Sequence, residues 1–279
     1  MAKEATNHQG KLAVVTGASS GIGYELAAQF AQHGFDLIVC AENDGISQAA
    51  EDLRQLGTKV QPVQADLSTA AGVMQFVQAV RADGRPVACA AINAGIGVDG
   101  PFAENALEDE ITLINTNVMG TVCIAKHIIQ DMTERAEGGK ILFTSSVASL
   151  AAGPYMACYN ASKAFIQSFS EALHVELKDK GISVTALMPD ATDTEFFERA
   201  GMLDTKVGAG DKDDPALVAK RGYNALMEGK ASVFGGSLKH RLLNAVEDLI
   251  PEQVKAKQYA KAAKPGSAAE DSAKKKKVS

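Results

Sequence analysis

Short apolar runs alternate with longer segments of helical periodicity along most of the chain. The first run, KLAVVTG, is apolar and β-branched and ends in Gly, as is typical of a buried strand. Seven such runs predict strands at 11–17, 37–41, 60–66, 87–95, 140–146, 182–189 and 231–236. The segments between them predict helices at 23–33, 47–57, 68–84, 107–135, 155–180 and 215–229. Strands separated by helices of this length imply right-handed crossovers and a parallel sheet.

This order of elements predicts an α/β protein with a single-domain, doubly wound Rossmann fold. Its mostly parallel seven-stranded sheet is flanked by helices, and the third strand is the weakest because Pro62 cannot donate to a ladder. We expect the domain to span residues 11–254, after a polar N-terminal segment at 1–10. Residues 255–279 are rich in Lys and Ala, so we expect a disordered tail with at most a helical stem.

Composition and charge exclude some functions. The chain is 46% hydrophobic and 22% charged, as in ordinary soluble proteins. Its net charge is −6, but residues 255–279 carry eight Lys against two acidic residues, which leaves a body of −12. An acidic body disfavours nucleic-acid binding. The run Lys274–Lys277 is either a solvated tail or a weak contact for an anionic membrane or acidic partner.

The cysteines and the hydropathy pattern indicate a cytoplasmic protein. Four widely spaced Cys, with no CxxC pair and no neighbouring His, predict no metal site and a reducing compartment. The first ten residues are polar and lack the apolar core of a signal peptide. No run of about 18 apolar residues occurs, so we expect no membrane span.

The first predicted strand runs directly into TGASSGIG, residues 16–23. Glycines at this point let backbone N–H groups approach a pyrophosphate, and the helix that follows favours negative charge at its N-terminus. The spacing is G-x-x-x-G-x-G rather than G-x-G-x-x-G. A plain strand-to-helix turn is the simpler alternative for this stretch taken alone.

A second motif, CYNASKAF at 158–165, places Tyr159 and Lys163 four residues apart. Residues at this spacing share one face of a helix. A free tyrosine has a pKa near ~10, and a nearby ammonium together with a nicotinamide cation would favour the phenolate. Such a tyrosine can act as a general acid or base. The alternative is an exposed tyrosine beside a solvated lysine.

TGASSGIG, then INAG at 92–95, then a Ser thirteen residues before YxxxK together resemble the short-chain dehydrogenase/reductase family over about residues 10–235. The resemblance implies an NAD(P)-dependent oxidoreductase that interconverts a carbonyl and a secondary or primary alcohol. Apolar residues in the segment 191–215, which we expect to cover the substrate, indicate a small-to-medium, apolar substrate. In the family, the helices predicted at 107–135 and 155–180 pair across a dimer axis, so the resemblance implies a homodimer or homotetramer.

The resemblance also implies a catalytic set. Tyr159 would be the general acid/base, and the Ser146 hydroxyl would bond the same substrate oxygen. Lys163 would anchor the nicotinamide ribose, and Asn117 would bend a helix and hold a water near Lys163. Ser145 competes with Ser146, but successive strand residues point to opposite faces, so only one reaches the site.

The implied cofactor contacts lie at the ends of the predicted strands. The glycine-rich turn would line the phosphates, Asp66 the adenine, the NAG stretch the adenosine ribose, and the threonines the nicotinamide amide. The full set is Gly17, Ser19, Gly21, Ile22, Gly23, Glu42, Asp66, Leu67, Asn93, Ala94, Gly95, Tyr159, Lys163, Pro189, Thr192 and Thr194.

Three positions depart from the family pattern. Ile92 replaces the first Asn of NNAG, a position where the backbone can still serve. Asp190 replaces the Gly that usually follows Pro189, and its carboxylate could either stabilise the oxidised ring or obstruct it. Glu42 stands where an Arg is common, with no basic residue nearby in the sequence. Since a carboxylate repels a 2′-phosphate, we favour NAD(H), with NADP(H) as the alternative.

Other functions and roles stay open at this stage. A nucleotide-binding regulator would keep the fold and cofactor with weak or no turnover, and a lyase or epimerase would use transient hydride transfer. We expect the segment 191–215 to be the substrate lid. Its apolar residues either line the substrate pocket or pack the lid onto the body: Phe196, Phe197, Met202 and Leu203.

Overall fold

The computed structural model describes residues 8–236 and 252–269. Its centre is one seven-stranded sheet in which every strand pairing is parallel. The strands are β1 (Leu12–Thr16), β2 (Asp36–Ala41), β3 (Val60–Gln64), β4 (Val87–Ile92), β5 (Gly139–Thr144), β6 (Ile182–Met188) and β7 (Ser232–Phe234). Their order is β3-β2-β1-β4-β5-β6-β7, which confirms the predicted doubly wound fold.

The helices cover both faces of the sheet, and each predicted helix is present within a few residues of its expected bounds. They are α1 (Gly21–Gln32), α2 (Gly45–Arg54), α3 (Ala70–Asp83), α4 (Leu107–Ile114), α5 (Thr121–Arg135), α6 (Ala157–Glu176), α7 (Phe196–Arg199), α8 (Lys206–Ala209), α9 (Pro215–Glu228) and α10 (Glu252–Ala263). The helix predicted at 107–135 is divided by a π-helical segment, Asn115–Gly120.

Two hydrophobic cores lie on the two faces of the sheet, and the alternation of side chains along β1 feeds both. Leu12 and Val14 belong to the core under α3, α5 and α6, while Ala13 and Val15 belong to the core under α1, α2 and α9. All five residues of β1 are buried, which is why its sequence is a continuous apolar run. Pro62 is tolerated because β3 is an edge strand.

Strands β1 and β4 are neighbours although β2 and β3 come between them in the chain. The chain therefore leaves β1 toward one edge of the sheet and leaves β4 toward the other. The loops that follow these two strands separate at their carboxyl ends and open a crevice, which is where ligands bind in doubly wound folds. This reversal places the glycine-rich turn and the INAG stretch side by side.

Asn93 clamps three strand ends together at this crevice. Its Nδ2 donates to the Thr16 carbonyl at 3.1 Å, and its Oδ1 accepts from Thr144 Oγ1 at 2.9 Å. The Asn93 backbone N–H donates to Thr16 Oγ1 at 2.9 Å. The ends of β1, β4 and β5 are thus joined by one side chain, and their carbonyls keep a fixed spacing.

Part of the segment expected to be a tail with a helical stem is described by the structure. Residues 252–269 form α10 and a closing turn that pack on the lid segment containing α7 and α8. Ala263 is 1% exposed and Ser267 2% exposed, and Ser267 Oγ accepts from the Lys206 N–H at 2.9 Å. A Lys/Ala-rich composition predicts solvation, but this helix buries Ala263 and partly buries Tyr259. The Lys274–Lys277 run lies outside the described residues.

The surface carries two findings that bear on location and assembly. No helix within residues 8–236 and 252–269 is long and apolar enough to cross a bilayer. Apolar side chains exposed on α4 and α6 provide a surface for the pairing that the resemblance implies: Leu107, Ile111, Ile114 and Phe165. The homodimer or homotetramer and the cytoplasmic location stay predictions.

We predict that Asn93→Ala lowers the free energy of unfolding by about 2–3 kcal/mol, because several net hydrogen bonds of ~1 kcal/mol each are lost. The change is measured by urea unfolding followed by circular dichroism. Asn224→Ala, on the exposed side of α9, is the matched control and should alter stability by less than ~0.5 kcal/mol. An equal loss of stability in the two variants would show that the side-chain hydrogen bonds of Asn93 do not stabilise the fold.

Candidate active site

A cleft of about 1260 Å³ opens at the carboxyl ends of the strands. The glycine-rich turn forms one wall, the loops after β4, β5 and β6 form the floor, and α7 and α10 lie over the far end. Every predicted site residue except Asn117 lies in its lining. The folding of the chain therefore brings together groups that the sequence spreads from residue 17 to residue 194.

The glycines of the turn are required by the close approach of α1 to β1. Gly17 and Gly21 have φ values of +67° and +57°, in the left-handed region that favours glycine. A Cβ at Gly23 would lie 2.0 Å from the Gly17 carbonyl oxygen, so any side chain there would force the helix away. Ser20, the N-cap of α1, makes no side-chain capping bond, and the first residues of the helix line the cleft.

Acidic and basic side chains meet at the mouth of the cleft near β2. Glu42, at the end of β2, lies 3.7 Å from Arg199 of α7, and Arg199 also pairs with Glu195. The expectation that no cation lies near Glu42 is therefore wrong, because the lid brings one from 157 residues further along the chain. Glu195 also accepts from Ser20 Oγ at 3.4 Å, so the lid contacts the glycine-rich turn.

Asp66 and Leu67, two further residues expected to contact the cofactor, lie in the turn after β3. Asp66 Oδ1 accepts from the Ser68 N–H at 2.9 Å, which fixes the turn after β3. Leu67 is buried, and its carbonyl oxygen would be 2.5 Å from a Cβ at Gly120. Both residues line the cleft.

Tyr159 and Lys163 lie on the first turns of α6, and both line the cleft. Lys163 is 6% exposed, its Nζ donates to the Thr144 carbonyl at 2.8 Å, and it lies 5.8 Å from the Tyr159 ring centroid. The Ser146 hydroxyl lies close enough to the Tyr159 hydroxyl to lower the pKa of that phenol. The three side chains thus converge where β5 ends and α6 begins.

Burial controls the protonation of this pair. It raises the pKa of Tyr159 to about 12, opposed by the Ser146 hydroxyl beside it, and it lowers the pKa of Lys163 to about 8. At neutral pH the phenol is protonated and Lys163 remains mostly charged, so the site holds a proton that Tyr159 can donate.

The two serines that compete for the catalytic position point in different directions. Ser145 Oγ donates to the Lys163 carbonyl at 3.1 Å and so contacts the helix backbone. Ser146 Oγ accepts from the Ala148 N–H at 3.1 Å and lies beside the Tyr159 hydroxyl. The two serines thus point to different sides, as the alternation of side chains along a strand predicts.

Asn117 lies in the π-helical segment, where a helix bend was expected. Its Oδ1 accepts from the Ile96 N–H and its Nδ2 donates to the Ile96 carbonyl, both at 2.9 Å. A Cβ at Gly95 would lie 3.2 Å from both Asn117 Oδ1 and Lys163 Nζ. Asn117 therefore sits behind Gly95, beside Lys163, and outside the lining of the cleft.

Asp190 does not take the backbone conformation that usually calls for glycine. Among the described non-glycine residues only Ala136 and Tyr155 have positive φ. The Asp190 carboxylate accepts from the Ala191 N–H at 2.8 Å, and Thr192 Oγ1 donates to the Asp190 carbonyl at 2.7 Å. Hydrogen bonds within the loop hold the segment that follows Pro189.

The lid residues divide between the two roles that the sequence left open. Phe197 and Met202 are buried with Met156 in a small core that fastens the lid. Phe196 faces the cleft, with its ring centroid 5.2 Å from that of Tyr159. Leu203 neither packs into this core nor lines the cleft, and 56% of its surface is exposed.

Sequence reasoning missed two residues next to Tyr159. Asn160 Nδ2 donates to the carbonyls of Ala148 and Ala151, at 2.9 Å and 3.0 Å, and so ties α6 to the loop after Ser146. Tyr259 of α10 donates to Asn160 Oδ1 at 3.2 Å. The position of Asn160 inside YNASK was a usable signal, whereas Tyr259 lies in a stretch whose composition gave none.

Comparison with known proteins agrees with this geometry. A model of the short chain dehydrogenase family matches residues 11–202. Oxidoreductase UcpA of Salmonella typhimurium is 30% identical over 251 residues, which cover 86% of this chain and 93% of that protein.

Two solved structures carry a nucleotide cofactor. The short-chain dehydrogenase from Sphingobium yanoikuyae in complex with NADPH has a TM-score of 0.76 at 28% identity, covering 85% of this chain and 92% of that one. The 3-ketoacyl-(acyl-carrier-protein) reductase from Brucella melitensis complexed with NADH has a TM-score of 0.72 at 26% identity, covering 82% and 98%.

The parallel sheet and the glycine-rich turn at its switch point define a dinucleotide-binding α/β protein. The chain belongs to the short-chain dehydrogenase/reductase family. The predicted enzyme class is thereby confirmed: an NAD(P)-dependent oxidoreductase acting on CH–OH or C=O groups. Within the described residues, no three His, Cys, Asp or Glu side chains are grouped to hold a metal ion.

The lowered pKa of Lys163 predicts a pH-dependent stability. The folded protein releases this proton near pH 8 and the unfolded chain near 10.5, so the unfolded state binds more protons in between. The free energy of unfolding of the wild type, relative to Lys163→Met, should therefore rise by about 2 kcal/mol from pH 8 to pH 10. Urea unfolding at several pH values measures it.

Lys126→Met, on the exposed side of α5, is the control and should show a difference from the wild type that does not change with pH. A pH-independent difference for Lys163→Met as well would mean that burial does not lower the pKa of Lys163.

Proposed function

We propose that this protein reduces a ketone or aldehyde, or oxidises the corresponding alcohol, with Tyr159 as the general acid/base. The observation that carries the proposal is the convergence of Ser146, Tyr159 and Lys163 in one cleft with the glycine-rich turn. A bound nicotinamide cofactor would supply or accept the hydride. The substrate carbonyl oxygen would lie against the Tyr159 and Ser146 hydroxyls.

The proton chemistry follows from the charges of the site. In reduction Tyr159 donates its proton to the carbonyl oxygen, and the Ser146 hydroxyl holds that oxygen by a second hydrogen bond. The phenolate left on Tyr159 is stabilised by the ammonium of Lys163, which burial keeps from being screened by water. In oxidation the same phenolate accepts the alcohol proton. Asn117, behind Gly95, fixes the loop beside Lys163.

The cofactor contacts implied by the resemblance are supported by the lining of the cleft. The turn from Gly17 to Gly23 would hold the pyrophosphate with backbone N–H groups, which need no side chain and no cation. Thr194 lies against this turn, since a Cβ at Gly21 would be 2.9 Å from its Cγ2. The lid therefore contacts the glycine-rich turn through Thr194 and Glu42 through Arg199.

NAD(H) is the favoured cofactor on electrostatic grounds. Glu42 and Glu195 bring two carboxylates to the mouth of the cleft, and Arg199 brings one cation that both carboxylates already engage. A 2′-phosphate placed here would meet a net negative charge. The ribose hydroxyls of NAD(H) instead offer hydrogen-bond donors to Glu42.

A nucleotide-binding regulator is the less favoured function, because its main support was obstruction of the ring by Asp190. The Asp190 carboxylate accepts a hydrogen bond from the next N–H in its own loop. No observation favours a lyase or epimerase. The substrate we propose is small to medium in size, with an apolar part against Phe196.

We expect Tyr159→Phe to reduce turnover of a ketone by at least 100-fold, because the proton donor is lost while the ring stays in place. Turnover is followed by NADH absorbance with a panel of 2-alkanones. Fluorescence titration with NADH should give a dissociation constant within about twofold of the wild type. Tyr24→Phe, on α1 outside the cleft, should retain full turnover. Unchanged turnover in Tyr159→Phe would refute the mechanism.

We expect the wild type to bind NADH more tightly than NADPH in the same titration. Glu42→Gln should tighten NADPH binding by about fivefold, since a like charge near the 2′-phosphate is worth ~1 kcal/mol in partly hydrated surroundings. The same change should weaken NADH binding, because the ribose hydroxyls lose a charged acceptor. Glu104→Gln, exposed outside the cleft, is the control. Tighter NADPH binding by the wild type would show that Arg199 decides the preference.

A further inference from the structure

The substrate half of the cleft contains a carboxylate that the proposed reaction does not use. Asp99 lies in the loop between β4 and α4 and lines the cleft. Its backbone N–H donates to the Ala200 carbonyl at 3.2 Å, and the next N–H, of Gly100, donates to the Tyr155 carbonyl at 2.9 Å. The loop is therefore held between the lid and the segment that precedes α6, and Asp99 has a defined position.

One oxygen of this carboxylate is buried without a partner. Asp99 Oδ1 accepts no hydrogen bond from any described residue. Burial raises the pKa of Asp99 to about 6, opposed by the Gly100 N–H and reinforced by the charge of Asp204. At neutral pH the group is mostly ionised. A buried acceptor normally has a donor, so a donor from a bound molecule is the expected partner.

Tyr259 of α10 presents a second acceptor to the same part of the cleft. Its hydroxyl proton is directed to Asn160 Oδ1 at 3.2 Å, so the phenolic oxygen can only accept a further hydrogen bond. Burial raises its pKa far above the usual range, and the charges of Tyr159 and Asp99 add to this effect. The hydroxyl is neutral at any working pH.

Asp99 is near the reacting centre. Gly95, four residues earlier, abuts Lys163, and four extended residues span at most about 14 Å. A substrate held by Tyr159 would therefore reach Asp99 with a group several bonds from its carbonyl. Lys255 also lines the cleft, and its charge disfavours an ammonium group there. A hydroxyl is the neutral donor that fits these surroundings.

We propose that Asp99 accepts a hydrogen bond from a substrate hydroxyl several bonds from the reacting carbon, and so selects carbonyl substrates that bear one. The inference rests on the proposed function and sharpens it, because the expected apolar substrate becomes one with a polar end. The apolar stretch of the molecule lies against Phe196, and the distal hydroxyl donates to Asp99 Oδ1.

The test compares 2-pentanone, 2-hexanone and 2-octanone with their ω-hydroxy counterparts. We expect the wild type to prefer at least one hydroxy ketone by about tenfold in kcat/KM, the size of one hydrogen bond to a charged group. In Asp99→Leu the preference should fall to near unity, with the plain ketone unaffected or improved. Tyr259→Phe should keep it, because the one proton of the substrate hydroxyl is donated to Asp99. Asp109→Asn, which changes another carboxylate of the cleft lining, an exposed one, should keep the full preference.

Calorimetric titration of the NADH-saturated protein with the same ketone pairs separates this inference from the proposed function. Tighter binding of a hydroxy ketone that depends on Asp99 supports the subsite even when no ketone is turned over, a result that would defeat only the proposed reaction. Ketone turnover without any hydroxyl preference in the wild type overturns the subsite and leaves the reaction standing. A preference that survives Asp99→Leu and Asp99→Asn overturns it as well.

Discussion

The hydrogen bonds of Asn93 are the constraint on which the site depends. Its side chain joins the end of β1 to Thr144 at the end of β5, and the Thr144 carbonyl in turn receives the ammonium of Lys163. The nucleotide half and the catalytic half of the cleft are thus spaced by one short chain of bonds. A shift of either strand would move Lys163 relative to the glycine-rich turn, and catalytic groups tolerate little displacement.

Burial then decides what this fixed geometry can do. Tyr159 and Lys163 lie together in a poorly solvated place, where the neutral phenol is favoured and the ammonium is less so. Loss of the phenol proton creates an anion beside a cation, and their attraction is strongest where water is scarce. Tyr159 therefore keeps its proton at rest. Once a proton acceptor has bound, the neighbouring Lys163 ammonium favours the phenolate.

The sequence predicted the sheet, the turn and the catalytic helix because each is encoded locally. Continuous apolar runs, TGASSGIG and the spacing of Tyr159 to Lys163 are readable without a fold. Arg199 beside Glu42 could not be predicted, because a lid had to bring it across the cleft. Tyr259 escaped for the same reason: its burial depends on a surface formed by α6 and the lid, while its own neighbours are Lys and Ala.

The helix α10, which covers the substrate half of the cleft, follows all seven strands in the chain. On the ribosome, the strands and the glycine-rich turn emerge first, and α10 with Tyr259 emerges after β7. Since chains fold as they are made, the nucleotide half can form while the substrate half still lacks its cover. A nascent chain would thus pass through a stage in which its nucleotide half is built while its substrate half is still open to solvent.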